Sequence, residues 1–215
     1  THAINKDEVL KGAMFGHGKI LGSNVDPLNP YFVDLAKRVP YDPAKAKKLL
    51  AEAGYPNGFD VTFRVAPQYY YTVRSAEIIT SQFAKVGIRA KIEQIEWGTW
   101  LSQVFCLAPC QNPDYEMSII GHAEAWDIAN FANPKYYFRW DNADFQKLFA
   151  ESQVTVDDKK RRELYVAMQQ MLADEAPAVW LYMHPRLVVT KKGVTGLWKD
   201  LPLPVLDLSE VSWQK

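Results

Sequence analysis

The sequence carries no surplus of either charge: Lys plus Arg and Asp plus Glu number 25 each. Nucleic acid and anionic membrane surfaces both select for a basic excess, so neither is expected as the main partner. Long apolar runs are missing, and no stretch reaches the ~20 residues that a transmembrane helix needs. Thr1-His2-Ala3-Ile4 has no initiator Met and no signal peptide, and leads almost at once into a helical pattern. It reads as the start of a processed chain or of a piece of a longer one. Cysteine is scarce, with only Cys106 and Cys110. Leu-Ala-Pro between them is too wide a spacing for a Cys-x-x-Cys redox motif, and two thiols without neighbouring Cys or His make a poor zinc site. Pro109 argues against a regular helix there, so a short disulfide across a loop is expected in an oxidising compartment. The histidines, His2, His17, His122 and His184, are scattered and lack metal-ligand spacing. No Gly-x-Ser-x-Gly elbow is present. Gly16-His17-Gly18-Lys19 is no phosphate loop, because Ala13 stands where the first glycine belongs and Ile20 replaces the Ser or Thr. Carboxylates are plentiful, but nothing in the sequence pairs them for acid–base work. The expectation is a protein without catalysis, cofactor or metal, with a hydrolase on an α/β scaffold disfavoured by the missing motifs.

What is present suits a packed core. Hydrophobic residues make up 48% of 215, enough for one large domain or two small ones. Asn5 or Asp7 suits the cap of a first helix with Val9, Leu10, Ala13 and Met14 on one face. The segment 21–39, with Pro27 and Pro30, reads as irregular. Asp42 then caps a helix with Pro43 at its first position, Ala46, Leu49, Leu50 and Ala53 on the helical period, and Gly54 as the stop. Residues 59–65 alternate as a strand. After the aromatic loop Gln68-Tyr69-Tyr70-Tyr71 comes an amphipathic helix, with Ala76, Ile79, Phe83 and Val86, stopped by Gly87. Residues 88–95 are the next strand. Strand, helix, strand at this spacing is a βαβ unit, which predicts parallel strands. Glu96-Trp97-Gly98 leads into a short helix with Trp100, Leu101, Val104 and Phe105. Two further helices carry Phe145, Leu148 and Phe149, and then Leu164, Met168 and Leu172. Residues 178–183 and 186–190 read as strands about His184-Pro185, and the tail beyond Gly193 as extended and without periodicity.

The most informative stretch is 114–141. Met117, Ile119 and Ile120 form a buried strand ended by Gly121, and His122, Glu124, Trp126 and Asp127 crowd the loop behind it. Ligands in α/β domains meet the chain where it leaves the carboxyl ends of strands. Tyr69 and Tyr70 follow one predicted strand and Trp97 the next, so all are expected at the same edge as His122, Glu124, Trp126 and Asp127. An acidic group among aromatic rings suits a cationic or amino-bearing ligand. The same residues also fit a surface loop in which Trp126 is core and Asp127 caps a turn.

Several stretches together resemble the extracytoplasmic solute-binding proteins of the dipeptide, oligopeptide and nickel class. They are Tyr41-Asp42-Pro43 through Ala53-Gly54-Tyr55 and Gly58, Ala76-Glu77-Ile78-Ile79 to Lys85-Val86-Gly87-Ile88, Glu96-Trp97-Gly98, and Arg162-Glu163-Leu164-Tyr165 with Ala176-Pro177. They run in the family's order over nearly the whole chain. The resemblance implies one three-layer α/β lobe of the type II periplasmic-binding-protein kind, with a mixed sheet (59–65, 88–95, 115–120 and 178–183) flanked by helices. It implies residues 1–192 as the carboxyl-terminal lobe of a two-lobe protein and 193–215 as a segment returning to an amino-terminal lobe. It further implies a periplasmic or otherwise extracytoplasmic substrate-binding component of an ABC importer. Its partners would be a peptide or similar small amino-bearing solute and membrane permease subunits. A ligand-sensing lobe of a receptor or regulator on the same fold is the alternative. The family's ligand residues transfer incompletely. A gap-free reading of Gly121-His122-Ala123-Glu124-Ala125-Trp126-Asp127 puts Ala125 at the acidic position, with Asp127 two residues on and Glu124 adjacent. Ala66 stands before Pro67 where dipeptide binders resemble one another in an Arg, so a short zwitterionic peptide fits less well than the family name suggests.

Overall fold

The structure is a computed structural model that describes residues 1–105, 114–122, 127–185, 187–198 and 207–214. Its centre is a parallel sheet of β2 (Asp60–Val65), β3 (Arg89–Gln94) and β4 (Met117–Ile119), in the order β3-β2-β4. Phe63 lies opposite Ile92 and Met117, and Val65 opposite Gln94 and Ile119. The crossover helix α3 (Tyr70–Ala84) joins β2 to β3, as the βαβ pattern predicts. Period-2 alternation divides the sheet into two unlike faces. Phe63, Val65, Ala90, Ile92, Met117 and Ile119 pack with Ala76, Ile79 and Phe83 of α3. Val9 of α1 (Lys6–Met14) and Ala46 of α2 (Pro43–Glu52) belong to the same core. The opposite face carries Arg64, whose guanidinium pairs with Glu93 at 3.0 Å and Asp114 at 3.2 Å. There α4 (Trp97–Trp100) and the π-helical turn Leu101–Phe105 cover the carboxyl ends of the strands. The Trp100 indole donates to the Ser118 hydroxyl at 2.9 Å, and Ser118 donates to the Arg64 carbonyl at 2.8 Å.

A second core forms where α5 (Ile128–Phe131), α6 (Ala143–Val154) and α7 (Asp158–Glu175) meet. Ile128, Phe131, Phe145, Tyr165, Met168 and Leu172 are its buried members. Of the cap candidates read from sequence, Asn5 accepts from the Glu8 amide at 3.2 Å and Asp42 from Lys45 at 2.9 Å. Asp157 caps α7 in the same way, accepting from Lys160 at 2.7 Å. Asn142 caps α6 by accepting from the Phe145 amide at 2.8 Å. The irregular segment 21–39 is held to α7 by Gln169, which is fully buried. Its amide donates to the Tyr31 carbonyl at 2.8 Å, and its oxygen accepts from Ser23 and from the Val33 amide, each at 3.3 Å.

Three local expectations need correction. The segment 178–183 does not extend the central sheet. Only β5 (Tyr182–Met183) is a strand, and it pairs antiparallel with β1 (Lys19–Ile20). Val179, Leu181 and Tyr182 still pack against the sheet core, so apolar patterning located the segment but not its hydrogen-bond partner. The central sheet is therefore parallel, with the antiparallel pairing outside it. Residues 187–190 form no strand, and Leu187, Val188 and Val189 are exposed. The aromatic loop is shorter than read, because α3 starts at Tyr70. The Thr72 hydroxyl, bonded to the Ala66 and Tyr69 carbonyls at 3.0 and 2.7 Å, ties this helix start to the end of β2. Past Gly193, β6 (Val194–Thr195) and β7 (Ser212–Trp213) pair antiparallel. Cys106 and Cys110 lie outside the described residues.

Candidate functional site: an aromatic edge at the carboxyl ends of the strands

Because the three central strands are parallel, their carboxyl ends open on one edge. β2 delivers Ala66, Pro67, Gln68 and Tyr69 to that edge, β3 delivers Ile95, Glu96 and Trp97, and β4 delivers Gly121 and His122. Rings then run along it without a break. Tyr70 meets Tyr71 and Tyr71 meets Tyr69, each at 5.8 Å between centroids. Tyr69 meets Trp97 edge-on at 5.5 Å, and Trp97 stacks on Trp100 at 4.9 Å. Trp100 meets Tyr137 at 6.2 Å, and Tyr137 meets His122 at 6.0 Å. Contacts of this geometry add to the area they bury and stiffen the edge. Tyr69 and Trp97, with Pro67, Gln68, Gln94, Ile95 and Glu96, line an open depression of about 520 Å³. One Glu96 carboxylate oxygen accepts from the Gly98 and Thr99 amides at 2.7 and 3.3 Å, which fixes the start of α4 and hence Trp97. Tyr71 braces the middle of the edge, since its hydroxyl lies against Gly121. Burial, then the neighbouring Tyr69 and Tyr182, push its hydroxyl up to about 12.

Asp127 lies at the far end of this band and is 6% exposed. It occupies the position before α5 that a cap would take, yet its side chain makes no capping bond. One carboxylate oxygen accepts from the Asn24 amide at 2.7 Å, and the other lies 3.1 Å from His122 Nδ1. His122 Nε2 is 2.7 Å from the Tyr137 hydroxyl. The predicted residues Tyr69, Tyr70, Trp97, His122 and Asp127 thus share one continuous edge. Along it Tyr70 is 58% exposed, whereas Asp127 is buried. Glu124 and Trp126 lie outside the described residues. Sequence reasoning missed Tyr71, Trp100 and Tyr137 as parts of the edge, although it had placed Tyr71 in the aromatic loop and Trp100 in the short helix after the next strand. It missed Asn24 altogether, and no local signal marks a residue that meets its partner 103 positions away. Among the described residues, no group of three or more His, Cys, Asp or Glu is placed to hold a metal ion.

The family model of bacterial extracellular solute-binding proteins, family 5 (middle), matches residues 1–147. The chain belongs to this family. The dipeptide-binding protein of Escherichia coli (strain K12) is 31% identical over 215 aligned positions, covering 93% of this chain and 39% of that protein. Di/tripeptide-binding protein 1 of Pseudomonas aeruginosa (strain UCBPP-PA14) is 29% identical over 189 positions, covering 81% of this chain and 34% of its own length. The chain therefore spans well under half the length of the curated relatives it matches. Among solved structures, a dipeptide-binding protein from Pseudoalteromonas sp. SM9913 in complex with Met-Leu superposes with a TM-score of 0.79 at 25% identity. It covers 99% of this chain and 44% of that one. The Helicobacter pylori periplasmic binding protein in complex with the peptide STSA gives 0.78 at 25% identity. The α/β lobe seen here is the fold of the family 5 binding proteins. These relatives are binding proteins rather than enzymes. Among the described residues, no helix is long and apolar enough to cross a membrane.

Proposed function

We propose that this chain forms one wall of the ligand cleft in the substrate-binding component of an ABC importer. That component captures a peptide or similar small amino-bearing solute in the periplasm. The observation that carries this reading is the convergence of three parallel strand ends on one aromatic edge with an open depression beside it. Tyr69, Tyr70, Trp97 and His122 offer the contact surface, and Asp127 supplies negative charge from behind His122. Glu124 and Trp126 extend the same loop and are proposed as further contacts. The other wall is an amino-terminal lobe, and permease subunits receive the loaded protein. Residues 1–192 make up the lobe and 193–215 the segment that returns to its partner. The exposed run Leu187, Val188 and Val189 supports a departure from the lobe near this boundary. Ligand sites enclose most of the ligand surface, which a single open edge does not do.

Calorimetry on the full-length protein with an unblocked dipeptide tests the site. Trp97→Ala and Tyr69→Ala are each expected to weaken binding by about 1–3 kcal/mol, the range for losing an aromatic contact in a desolvated site. Unchanged affinity in both would place the ligand elsewhere.

A further inference from the structure

The Asn24–Asp127–His122–Tyr137 chain links a residue of the irregular segment 21–39 to the ligand edge through one buried carboxylate. We propose that Asn24, Asp127 and Tyr137 are positioning residues. They hold His122 in a single tautomer, with the proton on Nδ1 toward Asp127 and with Nε2 accepting from the Tyr137 hydroxyl. They thereby set the polarity that His122 presents along the edge. The functional consequence rests on the reading of this edge as the ligand side; the tautomer does not.

Each bond constrains the next. An ionised carboxylate only accepts, so the Asn24 group 2.7 Å from Asp127 is the amide NH2 and not the oxygen. Asn24 Oδ1 is buried and makes no hydrogen bond, so the contact with Asp127 alone orients the amide. The other Asp127 oxygen, 3.1 Å from His122 Nδ1, likewise requires a proton on that nitrogen. In the neutral ring Nε2 is then an acceptor, and the Tyr137 hydroxyl at 2.7 Å is its donor. The Tyr137 ring is buried against Phe138 at 4.4 Å, and the imidazole lies beside both rings, so the hydroxyl sits at a fixed place. The second partner of a histidine selects its tautomer in this way at metal and catalytic centres, and the same logic holds without a metal.

The arrangement makes a specific prediction. In Asp127→Asn the new side chain can offer Nδ1 either its oxygen or its NH2, and Asn24, oriented by this contact alone, turns to match either choice. The single tautomer is then lost, and a share of the rings carries the proton on Nε2, donating to Tyr137.

The test is NMR of the full-length protein labelled with 15N-histidine, at a pH where the ring is neutral, with the His122 signals assigned by their loss in His122→Gln. The expected results are Nδ1–H alone in the wild type and a mixture that includes Nε2–H in Asp127→Asn. A wild-type ring protonated on Nε2 overturns the proposal even if the variant does not fold, as does an Asp127→Asn spectrum that shows Nδ1–H alone. Calorimetry with Ala-Ala on the same samples separates the two readings. At least a tenfold loss of affinity in Asp127→Asn, with no further loss when His122→Gln is added, is expected. The predicted tautomers with unchanged affinity would overturn the ligand reading of this edge while the relay stood.

Discussion

Asp127 shows how far a residue's identity falls short of its role. From sequence it is an acidic group beside aromatic residues, suited equally to holding a ligand amine or to capping a turn. In the fold it precedes α5, and its carboxylate is shared between Asn24 and His122. Trp97 was legible as an edge residue because it follows a predicted strand directly, whereas Asn24 has no periodic neighbour to mark it. Lys6 provides a test of burial at this scale. Its ammonium donates to the Leu21 carbonyl at 3.0 Å, and burial lowers its pKa from 10.5 to about 8. Below about pH 8 both the folded and the unfolded chain carry the proton, so the desolvation penalty is fully present. From there up to the unfolded value the unfolded chain binds more protons, and stability rises with pH. Urea denaturation midpoints are expected to increase between pH 8 and 10, and Lys6→Met is expected to flatten that rise. Above this window the half-buried tyrosines Tyr71 and Tyr182 act in the opposite sense, since desolvation raises both.

At the scale of elements, the capped helices and the parallel strands were readable because each has a strong local signal. Asp42 with Pro43 starts α2, and Val61, Phe63 and Val65 alternate through β2. β1 was not readable, since two residues carry no period, and its partner β5 lies more than 160 positions away. Pairing across such a separation depends on where the core places the two backbones, and side-chain patterning does not record it. Gly87 was legible as the stop before β3, and the structure adds a reason for it and for Gly58 before β2. Gly58 and Gly87 have φ of +70° and +93°, and a Cβ on Gly58 would overlap the Gly87 carbonyl. Gly58→Ala is therefore expected to cost at least about 1–2 kcal/mol from the left-handed backbone alone, and more from the overlap. Thermal unfolding measures it. A variant as stable as the wild type would show that the two turns separate without cost.

At the scale of the whole molecule, the described residues proposed to contact ligand lie on a single edge, proposed above as one wall of a cleft. Half a cleft leaves much of a small ligand in water, so the chain alone is expected to bind an unblocked dipeptide weakly or not at all. Calorimetry showing submicromolar affinity, about 8 kcal/mol or better, would mean that the site is complete within these 215 residues. The location of the site is tested most directly by hydrogen exchange on the full-length protein, with and without a saturating dipeptide. Backbone amides in residues 66–71, 95–100 and 120–122 are predicted to gain protection together when ligand binds, because one edge carries all three segments. Protection confined to α6 and α7, or absent from all three segments, would contradict a ligand site at the carboxyl ends of the strands.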